Sequence, residues 1–391
     1  MNYLVAENQC SFISGRQGCD NIIIAQEAIH SMRTKKGQKG FVAVKVDMEK
    51  AYDRLDWKFL EFTLRSLGMR MDFIRLIMNC VSTASMRVVW NGQASESFHP
   101  TRGIRQGDPL SPYLFVLCME RLGQLIHHEV DTGVWKPLKL KLRGPKISHL
   151  FFADDLVLFG EASSHQMVVM RKVMELFCQV SGHRINLKKS KMFAFKNVHF
   201  NRAYELSQLL GIGLTSDLGK YLGVPLLHKR VVKMTYAPLL QKVGSKLANW
   251  KGKLLSMAGR AVVIKSVLPA IPYYQMQSIL LPKEILSALE KMSREFFWNQ
   301  NREANKMHLI SWDVIKRNKV AGGLGIKDLK CQNKAFIMKL CRGMITRPNA
   351  LWVKCLRSKY NCGDSTFSQV SKRRCQSTIW NGITAVWDQF S

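Results

Sequence analysis

Residues 147–159 read Ile-Ser-His-Leu-Phe-Phe-Ala-Asp-Asp-Leu-Val-Leu-Phe, and few folds can hold such a run. Two β-rich apolar stretches around Ala153-Asp154-Asp155 predict a hairpin with both carboxylates at its turn. Adjacent carboxylates repel, and the flanking Phe151-Phe152 and Leu156-Val157-Leu158 leave them little water. A divalent cation relieves both problems, and oxygen-only ligands favour Mg²⁺ or Mn²⁺ over zinc. A third carboxylate, Asp47, closes the β-rich run Phe41-Val-Ala-Val-Lys-Val-Asp47. With it the chain has the ligands for two ions about 4 Å apart, as in-line phosphoryl displacement requires. Each signal alone is ordinary: an Asp-Asp pair is usually a turn, and Asp47 a strand end or helix cap. Gly103-Ile-Arg-Gln-Gly-Asp-Pro109 could be any glycine loop. Their joint order carries the argument.

Between these points the pattern predicts helices and a second hairpin. Asp56 caps a helix with Leu60, Leu64 and Leu67 on one face and Gly68 as its stop. Asp72 starts another, striped by Ile74, Ile77, Met78 and Val81. Asn91-Gly92 predicts a type I′ turn within residues 86–98. Ser111-Pro112 read as N-cap and first residue of a helix through His128, and residues 164–181 as a helix closed by Gly182. Strand, helices, hairpin, helix, hairpin and helix in that order predict an α+β fold, an antiparallel sheet backed by helices. After Pro225 the chain turns helical and basic: residues 229–265 hold nine Lys or Arg and no acid. Pro282 begins a helix through Phe297, and the tail is helical with Trp298, Trp312, Trp352, Trp380 and Trp387.

The 391 residues carry 59 Lys and Arg against 28 Asp and Glu, a formal charge of +31. That field costs self-repulsion unless a polyanion neutralises it, which points to nucleic acid. The ten cysteines form no CxxC pair and fit no zinc module, so buried thiols of a reducing compartment are expected and no zinc. No run of about 18 uncharged apolar residues predicts a membrane span. The start shows no secretory signal pattern.

Asp47-Met-Glu-Lys-Ala-Tyr-Asp53, Arg102-Gly-Ile-Arg-Gln-Gly-Asp-Pro-Leu-Ser-Pro112 and Phe152-Ala-Asp-Asp155 resemble motifs A, B and C of reverse transcriptases. Ser181-Gly-His-Arg-Ile-Asn-Leu-Lys-Lys-Ser190 is similar to motif D, and Tyr221-Leu-Gly-Val-Pro225 to the primer-grip motif E. Gln9-Cys-Ser-Phe-Ile-Ser-Gly-Arg16 with Asp20-Asn-Ile22 resembles the block before motif A. Ala258-Gly-Arg through Lys265-Ser-Val-Leu-Pro269 and Gly322-Gly-Leu-Gly-Ile326 resemble the later part of plant non-LTR (LINE-type) retrotransposon polyproteins.

The resemblance implies a right-hand polymerase: incomplete fingers and palm over 1–227, a basic helical thumb over 228–330 and a helical connection over 331–391. It implies that Asp47, Asp154 and Asp155, helped by the Met48 carbonyl, bind two Mg²⁺ ions, with Mn²⁺ an alternative. Tyr52 takes the place of a steric gate against a ribose 2′-hydroxyl, and Gln106 and Gly107 contact the incoming nucleotide. Lys189 lies near the triphosphate, while Tyr221, Leu222 and Gly223 hold the primer end. Lys246, Lys251 and Lys253, with Trp250 among them, track the phosphate backbone of a hybrid. The implied partners are an RNA template, a DNA primer and deoxynucleoside triphosphates, and the implied location is nuclear. Further fingers motifs are expected upstream of Gln9, so the chain is read as an N-terminally truncated piece, short of full activity by itself. Arg16 is then the remnant of the triphosphate grip. Two other readings stay open: an RNA-dependent RNA polymerase, disfavoured by Ala153 and Tyr52, and a nucleic-acid-binding remnant without catalysis. A group II intron maturase fits the stretch after Lys265 poorly.

Overall fold

A computed structural model describes all residues except 35–39, 229–231, 250–254, 299–309, 364–369, 373–375 and 391. The chain divides into two compact units, residues 1–228 with 350–359, and residues 229–349 with 360–391.

The first unit is α+β. Helix α1 (Gly18–Thr34) precedes strand β1 (Phe41–Val46), followed by the short α2 (Ala51–Arg54), then α3 (Trp57–Ser66) and α4 (Met71–Ser82). Hairpin β2 (Val89–Trp90) and β3 (Gln93–Ala94) leads to α5 (Ser111–Asp131). Next come β4 (Leu138–Lys139), β5 (Lys146–Ile147), β6 (His149–Phe152), β7 (Asp155–Glu161) and α6 (Ser164–Ser181). Strand β8 (Lys191–Ala194), α7 (Phe200–Leu210) and hairpin β9 (Lys220–Tyr221)–β10 (Val224–Pro225) complete the run.

The central sheet is antiparallel in the order β6-β7-β1-β8. Alternation along β1 sends Val42, Val44 and Val46 to one face, where Leu156, Leu158 and Met192 join them in a core shared with α3, α5 and α6. Asp56 caps α3, accepting from the Lys58 and Phe59 amides, and Gly182 ends α6 at φ +77. Asn91 and Gly92 both have positive φ, as a type I′ turn demands. Ser111 is not the N-cap of α5 but its first residue. Asp108 supplies the turn instead, its carboxylate accepting from the Leu110 amide and its carbonyl from that of Ser111.

Helix α14 (Leu351–Tyr360) contributes its residues up to Lys359 to the first unit. The Lys359 ammonium meets the fully buried Glu27 carboxylate of α1 at 2.6 Å. In the second unit α8 (Ala237–Asn249), α9 (Met257–Ser266), α10 (Ala270–Met276), α11 (Lys283–Trp298), α12 (Trp312–Lys316) and α13 (Leu329–Thr346) precede α15 (Thr378–Phe390). The side chain of Asn333, fully buried, accepts from the Leu281 amide and donates to the Met276 and Ile279 carbonyls. One α13 residue thereby secures the chain between α10 and α11. No helix among the described residues is long and apolar enough to cross a membrane.

Candidate active site

Three strand ends meet where the carboxylates lie. Hairpin β6–β7 pairs Phe152 with Asp155 across a two-residue turn, Ala153-Asp154. Ala153 has φ +53, the positive value that a type II′ turn takes at its first position. Strand β1 pairs Val46 with Leu156, and that register continued one step sets Asp47 beside Asp155. Asp47 and Asp155 are partly buried and Asp154 exposed.

Burial pushes the Asp155 carboxyl above its ordinary range, and the charges of Asp154 and Asp47 push the same way against the pull of Lys45. Lys45 stands opposite Val157 on the face that also carries Asp155. Among the described residues no three His, Cys, Asp or Glu side chains converge into a formed metal cage. The charges of Asp154 and Asp47 both reach Asp155, and the three side chains offer only oxygen donors, the type that hard divalent cations take.

The backbone of Asp47 is held by the segment after α6. Its amide donates to Ser190 Oγ at 3.1 Å, and its carbonyl accepts from Asn186 at 2.8 Å. Glu49 donates to Arg184 across the same bridge, which centres on Met48 and Ile185. In this pattern residues 47 and 49 carry the bonds, so the Met48 carbonyl points away from Ile185. His183 ties the same segment to α2, its Nδ1 against Ser181 Oγ (2.9 Å) and Nε2 against the Ala51 carbonyl (3.1 Å).

Tyr52 stacks on Phe115 of α5 with ring centroids 4.6 Å apart. Burial, with the nearby Asp154 charge second, raises its phenol above the ordinary value. The glycine loop is stitched to this turn: Gly103 donates to Leu55, Ile104 to Tyr52, and the Trp57 indole to the Gly103 carbonyl. Gly103, at φ +84, is the close-approach glycine, because an added Cβ would lie 2.7 Å from the Asp53 carbonyl oxygen. Gly107, singled out in the sequence, has φ +90 and open space around it. Gln106 is exposed and reaches Asp53 at 3.5 Å.

The remaining candidates lie apart from the carboxylates in what they do. Arg16 serves its own loop: its guanidinium donates to the carbonyls of Ala6, Gln9 (2.7 Å) and Val5 (2.8 Å), which occupies it with protein backbone. Tyr221 is fully buried, and its hydroxyl accepts from Asn21 at 3.4 Å. Leu222 and Gly223 form the β9–β10 turn, both at positive φ. The Lys45 ammonium donates to the Lys220 carbonyl and fastens that hairpin to β1. Lys189 is exposed in a turn capped by Asn186. Lys246 is exposed on α8 of the second unit. Trp250, Lys251 and Lys253 lie outside the described residues.

The family described as "Reverse transcriptase (RNA-dependent DNA polymerase)" matches residues 2–226. A putative ribonuclease H protein of Arabidopsis thaliana is 36% identical over 161 residues, 41% of this chain and 26% of that protein. An uncharacterized 149 kDa protein of transposon TX1 from Xenopus laevis is 25% identical over 361 residues, 91% of this chain and 26% of its own length. The Pol polyprotein of the type-2 retrotransposable element R2DM of Drosophila melanogaster is 27% identical over 293 residues, 73% of this chain and again 26% of its own length. The chain thus spans about a quarter of these relatives.

Proposed function

Because the chain belongs to the reverse transcriptase family, we propose that it is the polymerase core of a non-LTR retrotransposon polyprotein, an RNA-directed DNA polymerase. Its reaction joins a primer 3′-hydroxyl to the α-phosphate of a deoxynucleoside triphosphate on an RNA template, and pyrophosphate leaves. The observation that carries this reading is the register setting Asp47 beside Asp155, with Asp154 in the adjoining turn. Its relatives from transposon TX1 and element R2DM support the retroelement origin.

Reverse transcriptases in general use divalent metal ions. Here Asp47, Asp154 and Asp155, with the Met48 carbonyl beside them, are the residues that would hold two Mg²⁺ or Mn²⁺ ions. When bound, the ions supply charge neutralisation for the attacking and leaving oxygens. The protein's own part is positioning. Ser190 and Asn186 fix the Asp47 backbone, and Phe115 holds the Tyr52 ring where a ribose 2′-hydroxyl would collide with it. The Gly103–Asp108 loop presents Gln106 and Gly107 to the nucleotide.

In this reading residues 1–227 are fingers and palm, 228–330 the thumb and 331–391 the connection, with α14 returning to the palm unit. The excess of positive charge supports a nucleic-acid partner, and such an element acts in the nucleus. Sugar choice tests the reading. On an RNA template the protein should incorporate deoxynucleotides in preference to ribonucleotides, and Tyr52→Ala should narrow that preference by about tenfold or more. A native preference for ribonucleotides would instead favour an RNA polymerase.

A further inference from the structure

The turn that carries Asp154 is held from outside its own hairpin. Residues 8–11 run alongside β6: the Phe151 amide donates to the Asn8 carbonyl at 2.9 Å, and the Cys10 amide to the Phe151 carbonyl at 3.1 Å. This is a parallel pairing centred on Gln9 and Phe151. Just beyond β6 the Ala153 amide donates to Ser11 Oγ at 2.8 Å and to Gln9 Oε1 at 3.3 Å. The Ser11 hydroxyl and amide in turn donate to Gln9 Oε1, at 2.9 and 3.0 Å. Both side chains are at most 1% exposed. The other end of the Gln9 carboxamide, Nε2, is buried without a partner among the described residues.

Left-handed backbone crowds the Cβ of an L residue against the carbonyl that follows, yet Ala153 stands at φ +53. The pairing of Phe152 with Asp155 closes the turn but leaves the Ala153 amide facing outward. Leaving one carboxamide nitrogen buried and unpaired is costly. The oxygen that accompanies it gathers three donors, one of them from the turn. We infer that Gln9 and Ser11 are positioning residues for the catalytic turn. They hold Ala153 in its left-handed conformation and so fix the direction of the next residue, Asp154. The inference rests on the proposed role of Asp154 in nucleotidyl transfer.

Ser11→Ala and Gln9→Met remove the hydroxyl and the carboxamide in turn, and each is made alone and together with Ala153→Gly. Glycine adopts left-handed backbone without support, so it should restore a turn that has lost its clamp. The readouts are kcat and KM for deoxynucleotide in primer extension, Mn²⁺ affinity by titration, and amide hydrogen exchange across residues 150–156. Each single variant should lower kcat about tenfold or more with KM within about twofold, weaken Mn²⁺ binding and speed exchange. The double variants should recover most of kcat and Mn²⁺ affinity. Residues that only anchored the N-terminal segment would not be rescued by glycine at 153. Absence of rescue, or native kcat and Mn²⁺ affinity in both single variants, overturns the inference. A native chain that neither extends primers nor binds Mn²⁺ would count against the polymerase reading itself. Hydrogen exchange still decides the clamp in that case, since unchanged exchange over 150–156 in both single variants overturns it.

Discussion

His183 ties the segment that holds the Asp47 backbone to α2. Burial drives its imidazole down to about 4, against the help of the Ala51 carbonyl, so the ring is neutral in the fold at neutral pH. Unfolded, it titrates near its ordinary 6.5. Its contribution is therefore whole above pH 6.5 and drains away as pH falls from 6.5 towards 4, because the unfolded chain binds the proton first. At the bottom of that window the loss reaches about 3 kcal/mol. Glu120, pushed up to about 7 by burial, acts with the opposite sign, so the native curve alone is not diagnostic. Denaturant titrations of the native chain and His183→Gln between pH 7 and 4 should converge as pH falls; parallel curves would contradict the neutral buried ring. The meeting of Asp47 with Asp154 and Asp155 at the strand ends was legible in the sequence because their order and apolar flanks are one-dimensional signals. Gln9, Ser11 and Ser190 were not, since they act on backbone amides at positions that only folding brings near. The backbone bonds of Arg16 were hidden for the same reason: its carbonyl partners lie 7 to 14 residues away in its own loop, and no charge pattern announces them.

Among the elements, amphipathic stripes made α3 and α4 readable, and Asn91-Gly92 marked its hairpin. Helix α1 gave no such stripe. Nearly all its residues are buried, including polar ones such as Asn21, Gln26 and Glu27, so its periodicity is lost in all-round packing. The glycine loop was recognised, but the weight fell on Gly107, whose surroundings are open. Gly103 carries the packing, and only the fold reveals the Asp53 carbonyl against it. Gly103→Ala should destabilise the protein by about 2 kcal/mol or more, through left-handed strain plus the clash. Gly107→Ala, facing only the first of these, should cost about 1–2 kcal/mol. Chemical denaturation of both variants measures the difference, and equal losses would place the close approach elsewhere.

For the whole molecule, the division of labour does not follow chain order. Helix α14 comes after most of the second unit, yet Trp352, Val353, Cys355 and Leu356 are buried and Lys359 meets Glu27 of α1. Lys359→Met strips that buried carboxylate of its ammonium partner, a change worth about 3–5 kcal/mol. A melting temperature lower by several degrees is expected, and an unshifted one would mean that α14 adds nothing to the first unit. The excess of basic residues, 59 against 28 acidic, costs self-repulsion that a polyanion would relieve. The decisive measurement is primer extension on an RNA template with Mg²⁺ and deoxynucleotides, native protein beside Asp154→Asn. Extension by the native chain, reduced about a hundredfold or more in the variant, is the predicted result. Equal extension by both would contradict the site, and hybrid binding without extension by either would contradict catalysis by this chain.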